Sequence, residues 1–420
     1  MDLRGCGVRG ADDLLTVVAT ESMTPITPLS GAKGPLLEAP RPAPARRPHW
    51  SELDVLRGLA AVLMVSNHAG VRMPRGEGHG LADALEFAGS LAPVVFFTVT
   101  GLGRGVQSAA SATRRPWRET LQKVLLLLLA DAALWLAPGR PIGMDFLGFI
   151  GLSTLVVEAI ARCARPQSMA LLACAAVLLL RVVGAPLLRH AVGSGPWLFG
   201  LGDHGLAGFS YPPCPWLAYP LLGFAVGHAA QQHSTRLRSR EPRVIAGCAL
   251  LGVALGAVCV AMALHGSLFF RWGTVSVAFT VLSLATVFAS LAVAMGCTRQ
   301  PRVTRALALP GTSSLVVVPV HYGLIEIAVQ TLPADLTTNY FPLVAAALVA
   351  LALLLARALD RRIVRTISTR AHTTAWWALL ACALSLLAAT YATHGTAWRL
   401  PCMMTAQFVL CAMFAIRGKK

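Results

Sequence analysis

The polar chemistry of this chain is concentrated near residue 50. Ser51-Glu52-Leu53-Asp54-Val55-Leu56-Arg57-Gly58 leads straight into an apolar run that ends on Ser66-Asn67-His68. Arg57 and His68 are eleven positions apart. At about 100° per residue a helix turns close to three times between them, so both side chains lie on one face, roughly 16 Å apart along the axis. Asp54 lies within about 60° of Arg57 and is spaced to pair with it at i,i+3. Ser51 is placed to cap the helix, with Asp54 three residues on and favourable at the positive end of the dipole. A guanidinium fits phosphate oxygens. An imidazole titrates near working pH and suits a general base or a covalent carrier. One stripe thus offers a cation at one end and a proton acceptor at the other. The alternative is that Asp54 and Arg57 only anchor a helix at a membrane interface while His68 reaches toward water.

Other polar residues compete for roles. His79 sits in the loop Arg75-Gly76-Glu77-Gly78-His79-Gly80, where a base or a plain loop residue are both consistent. His321 and Tyr322 fall inside a later apolar run, and the run itself fits His321 as a satisfied core histidine. Asp203 and His204, with Tyr211, belong to a Gly-rich stretch over 189–214 that is long enough to cover a site. Asp131 and Glu158 lie within apolar runs and are expected to line a cavity or pair with Arg181. The ten cysteines show neither metal-ligand spacing nor a disulfide framework, and no metal site is expected.

These residues need a scaffold, and composition identifies its class. Of 420 residues, 55% are hydrophobic and 13% charged, with a mean hydropathy of +0.63. Soluble domains carry about twice that share of charge. A water-soluble enzyme, a disordered chain and a nucleic-acid binder are therefore disfavoured together, and the net charge of +17 needs another explanation. Residues 1–48 read as a disordered cytosolic tail, rich in Pro, Ala and Arg and without the order of a secretory signal. Twelve apolar stretches follow, at 53–70, 91–108, 121–137, 146–161, 168–188, 215–231, 244–264, 273–296, 313–331, 341–358, 374–392 and 398–416, each long enough to approach a bilayer's thickness. The expected fold is an all-α, polytopic membrane helical bundle of about twelve transmembrane helices. If the spans alternate from a cytosolic tail, 28 of the 36 Lys and Arg residues fall on the cytosolic side. This asymmetry places both termini in the cytosol.

The string Leu53-Asp54-Val55-Leu56-Arg57-Gly58-Leu59-Ala60 followed by His68 resembles the opening of the membrane acyltransferase-three family. It is also similar to the opening of the heparan-alpha-glucosaminide N-acetyltransferases, which usually have Asn where His68 stands. Later segments favour the second family. Pro93-Val94-Val95-Phe96-Phe97 through Gly101 looks like its second span, and Asp145-Phe146-Leu147-Gly148 resembles the start of its fourth. Pro215-Trp216-Leu217-Ala218-Tyr219 through Gly223 looks like its Pro-Trp-Leu segment. Pro310-Gly311-Thr312-Ser313 through His321-Tyr322 resembles a late segment of both families. Gly89-Ser90 stand where the second family usually has Asp.

The resemblance implies a ten-helix acyltransferase core over 49–358, with 359–420 adding two C-terminal transmembrane helices. It implies transfer of an acyl group, typically acetyl from acetyl-CoA, to a carbohydrate or glycolipid acceptor across the bilayer. Asp54 and Arg57 then bind the CoA phosphates, and His68 or His79 is catalytic, His79 matching the loop histidine of the second family. An acceptor-site role for His321 is implied by the resemblance alone. The implied partners are the lipid bilayer, acyl-CoA and the acceptor, with no nucleic acid, and a homo-oligomer is compatible with the reading. A multi-pass protein of a bacterial cytoplasmic membrane is expected. A twelve-helix secondary transporter remains the alternative, although the halves show no matching broken helices. A catalytically silent relative of the same fold is the third reading. The charge map generates a direct test. A reporter that folds only in the cytosol, fused after Lys420, is expected to be active in intact cells, whereas a periplasmic phosphatase at that position is expected to be silent.

Overall fold

The computed structural model describes residues 50–73, 80–111, 116–138, 143–184, 210–266, 276–364 and 373–416. The tail at 1–48 lies outside the described residues, as do His79, Asp203 and His204. The described residues form an all-helical assembly with no β-strand. Its principal helices are α1 (Ser51–Arg72), α2 (Gly80–Gly89), α3 (Ala92–Ala110), α4 (Trp117–Trp135), α5 (Phe146–Ile160), α6 (Pro166–Leu179), α7 (Ala218–Gln232), α8 (Glu241–Leu264), α9 (Val277–Thr298), α10 (Gly311–Thr331), α11 (Phe341–Leu359), α12 (Thr373–Ala392) and α13 (Arg399–Ile416).

Each of the twelve expected stretches is mainly helical over its described part, with a break at Leu217 and non-helical ends such as Leu136–Ala137. Six helical segments are long and apolar enough to cross a membrane: Ala82–Ala110, Glu241–Leu264, Val277–Thr298, Ser313–Thr331, Phe341–Arg362 and Ala375–Ala392. With Leu and Val side chains exposed along α8, including Leu250, Val253 and Val260, this is the surface of an integral membrane protein.

The helix with the polar stripe, α1, is not among the six. It carries Glu52, Asp54, Arg57 and Arg72, and it packs against α3, α9, α10 and α11. Val55, Ala60, Ala61, Val65 and Ala69 are fully buried. A helix shielded from lipid by its neighbours need not be apolar, which reconciles its composition with its central place. Ser51 proves to be the first helical residue rather than the cap. Trp50 holds the cap position, where its donor-only indole makes no capping bond, and the Asp54 carboxylate pairs with Arg57.

Glycines let the helices approach closely. Gly101 and Gly105 on α3 face Gly223 and Gly227 on α7, each pair spaced at i,i+4. A Cβ at Gly101 would overlap the Pro220 carbonyl, one at Gly105 the Phe224 carbonyl, one at Gly223 the Thr98 carbonyl and one at Gly227 the Leu102 carbonyl. Small residues at this spacing give backbone-to-backbone packing in membranes. Short α2 was not anticipated. Ten residues carrying Asp83 and Glu86 are too few and too polar to read as a span. It folds back on α1, where Asn67 Nδ2 donates to the Glu86 carbonyl at 2.8 Å.

The last two helices are joined to the core. α13 packs against α4 and α10. Gln407 Nε2 donates to the Ala130 carbonyl at 3.0 Å, and Arg399 Nη2 to the carbonyls of Leu134 and Leu136. Polar contacts collect at two ends. At one, Trp50 Nε1 donates to Gln231 Oε1, Arg357 binds the Ala306 and Ala308 carbonyls, and Asp54 and Arg57 meet the segment 307–311. At the other lie His68, Asp145 and Arg399. The α3–α7 contact is open to a test by size. Gly101→Leu is expected to lower stability by about 3 kcal/mol or to block folding. Gly256→Leu on α8, where nothing lies within 4 Å of an added Cβ, is expected to be neutral or slightly stabilising. Thermal unfolding in detergent measures both.

Candidate active site

Two motifs distant in sequence form one structural unit at the basic end of α1. Arg57 Nη1 lies 2.6 Å from Asp54 Oδ1. The Asp54 carbonyl accepts the Leu309 N–H at 2.8 Å, and the Gly58 Cα abuts the Leu307 carbonyl so closely that a Cβ would overlap it. Gly103 and Gly311 flank the guanidinium; Cβ atoms there would stand 3.3 Å and 3.5 Å from it. The glycines thus let the backbones of α3 and α10 come close to the Arg57 guanidinium, and a side chain at either position would crowd it.

Glu158 is a second ionic centre, but not with Arg181. Its side chain is 2% exposed and binds Arg104 Nη2 at 2.6 Å and Arg162 Nη2 at 3.2 Å. Arg162 also lies over the Trp117 ring at 4.3 Å. Asp131 likewise serves structure: its Oδ2 accepts the Asp145 N–H at 2.6 Å, and it accepts further backbone bonds from Leu147 and Gly148. A residue of α4 therefore caps the start of α5.

At the opposite end of α1, the structure brings three of the expected site residues together. His68 Nδ1 lies 2.6 Å from His321 Nε2. The Tyr322 ring stands 4.9 Å from the His68 ring and 4.3 Å from that of His321. His321 is fully buried, and its Nδ1 lies 2.9 Å from the Val317 carbonyl one turn back.

Two cavities meet at this cluster. An inner chamber of about 250 Å³ is lined by His68, Asp145, Ser210, Tyr211 and Tyr322 together with apolar Met64, Pro93, Phe146 and Val318. A vestibule of about 880 Å³ shares His68, Leu134, Asp145 and Tyr322, and is otherwise walled by α10 and α13. Trp135, Arg72, Glu326, Gln330 and Arg399 line it. Glu326 accepts a bond from Gln330 Nε2 at 2.9 Å.

Sequence reasoning did not single out Asp145 as a lining residue, and it placed Tyr211 only in a stretch long enough to cover a site. Asp145 had a legible signal, an acidic residue capping an apolar run, and its Oδ1 accepts the Phe146 N–H at 2.9 Å. Burial pushes its carboxyl up from the usual range, opposed by bonds from Ser210 and Phe146. Burial, with the Asp145 charge adding to it, raises the Tyr211 phenol well above its ordinary value, so Tyr211 stays a hydroxyl. The packing of Tyr211 among Phe97, Phe146 and Trp216 follows only from the fold. Among the described residues no group of three His, Cys, Asp or Glu is placed to hold a metal ion.

Residues 50–256 match the family model described as heparan-alpha-glucosaminide N-acetyltransferase, catalytic. No curated protein matches the chain. The match includes Arg57, His68, Asp145 and Tyr211, and ends before His321, Tyr322 and the α13 wall. The Glu158 centre yields a prediction. Glu158→Gln leaves two arginines facing each other and is expected to cost about 2 kcal/mol, the partial exposure of both guanidinia reducing the penalty for a broken buried pair. Arg162→Gln is expected to cost less because Arg104 still neutralises Glu158. Thermal unfolding of the purified variants measures both.

Proposed function

We propose that this chain, a member through residues 50–256 of a heparan-alpha-glucosaminide N-acetyltransferase-like family of membrane acyltransferases, transfers acetyl from acetyl-CoA to a sugar or glycan acceptor across the bilayer. The observation that carries the reading is the placement of His68. It stands where the chamber and the vestibule meet, with Tyr322 and Asp145 beside it.

The donor is assigned to the basic end of α1. The Arg57 guanidinium is oriented by Asp54 and flanked by Gly103 and Gly311, and its planar fork suits a CoA phosphate. The basic clusters between the apolar runs support a cytosolic location for that end. The acceptor is assigned to the vestibule, where the Trp135 ring can lie along the apolar face of a sugar while Glu326, Gln330 and Arg399 bond its hydroxyls. In the transfer, the His68 imidazole takes the proton of the acceptor hydroxyl or amine as its oxygen or nitrogen attacks the thioester carbon. The carbon–sulfur bond breaks, CoA leaves as the thiolate, and the proton on His68 returns to it. The small chamber beside His68 suits a short acyl group.

The test is transfer of labelled acetyl from acetyl-CoA by protein reconstituted in lipid, with amino sugars and membrane glycans as acceptors. His68→Ala is expected to lower turnover at least a hundredfold, with CoA binding retained, and Arg57→Ala to weaken CoA binding. His79→Ala is run beside them: if it abolishes transfer while His68→Ala does not, the base is His79. Absence of both CoA binding and transfer by the parent would reject the acyltransferase reading.

A further inference from the structure

Two hydrogen bonds in series determine where the proton of His68 sits. The Val317 carbonyl can only accept, so the His321 nitrogen 2.9 Å from it, Nδ1, carries a hydrogen. A neutral His321 then has its lone pair on Nε2. That atom lies 2.6 Å from His68 Nδ1, so His68 is the donor and Nδ1 holds its proton. The ring geometry agrees. The two rings are within 13° of parallel with centroids 4.9 Å apart, while the facing nitrogens are only 2.6 Å apart. Nitrogens so much closer than centroids mean an edge-to-edge approach, with the hydrogen directed along the in-plane lone pair.

We infer that His321 is a positioning residue that holds His68 in the Nδ1–H tautomer and thereby presents a bare Nε2 lone pair to the cavities. This rests on the reading of His68 as the base that meets the acceptor. It deepens that reading by naming the atom that takes the proton. A neutral imidazole has one donor and one acceptor nitrogen; without the His321 lone pair, His68 is free to carry its proton on Nε2 and is then no base toward the cavity. When Nε2 accepts the acceptor's proton, His68 becomes a cation whose Nδ1–H still bonds to His321, so the ring does not turn during the step. His321 and its Val317 contact lie beyond the family match, so the matched segment alone does not contain the device.

The experiment is nitrogen-15 NMR of the full chain in lipid, labelled at histidine, with His68→Gln used to identify the His68 signals. The parent is expected to show a protonated Nδ1 and an unprotonated Nε2 at His68. In His321→Leu the preference is expected to vanish and the Nε2–H form to appear. In His321→Gln, whose amide oxygen accepts the same proton, the parent pattern is expected to persist. Turnover should follow: kcat lower on the order of a hundredfold in His321→Leu, acceptor KM changed less than about twofold, and most of the rate restored in His321→Gln. A proton on Nε2 of His68 in the parent overturns the inference, as does an unchanged His68 spectrum in His321→Leu. If that variant does not fold, the parent spectrum still decides. The expected spectra with no acyl transfer by any protein would reject the acyltransferase reading while the tautomer assignment stands.

Discussion

An ionised or hydrogen-bonding side chain cannot be left in contact with lipid tails without a partner, and α1 carries Asp54, Arg57 and His68 on a single helix. The rest of the assembly answers that constraint. Helices α3, α9, α10 and α11 pack around α1, and the three polar side chains of the stripe meet partners there or one turn away. Arg57 is met by Asp54 and His68 by His321. The Asp54 carbonyl takes the Leu309 N–H. Enclosure requires backbones to come close, and the glycines supply the space: Gly58 against Leu307, Gly103 and Gly311 around Arg57, and the reciprocal glycines between α3 and α7.

The same enclosure separates two tasks along one helix. Arg57 and His68 occupy opposite ends of α1, so under the proposed function a donor held by its phosphates and an acceptor approaching the imidazole need not compete for one opening. Asp131 holds the start of α5, and with it Asp145, at the chamber wall. The two C-terminal helices, which looked like an appendage in the sequence, bring Arg399, Met403 and Met404 to the vestibule through α13. α13 joins the core through backbone carbonyls of α4 and of Leu136 just after it, contacts without a characteristic residue pattern.

How far each feature was legible depended on whether its cause is local. Apolar runs specify helices because every backbone group must be satisfied within the segment, and the twelve expected stretches are mainly helical where described. The string from Asp54 to Gly58 was legible as a family opening, and residues 50–256 match that family. Pairings across helices were not legible. Glu158 was weighed against Arg181 yet lies with Arg104 and Arg162, since nothing in a sequence states which two buried charges share an interface. Asp145 read only as the start of a family segment and Tyr211 as a loop residue until the fold brought them to one chamber.

The sequence by itself determined the material and the spacing: apolar runs that become helices, the basic clusters between them, and an Arg57-to-His68 separation that three turns of helix convert into one face. These follow from local geometry and from transfer into lipid, which act on contiguous residues. Tertiary structure decided the chemistry. The nitrogen of His68 that holds the proton depends on His321, which stands 253 positions away and is oriented by the Val317 carbonyl. A tautomer is set by the lone pair that a neighbour presents, and only the packing of α10 against α1 puts that lone pair in place.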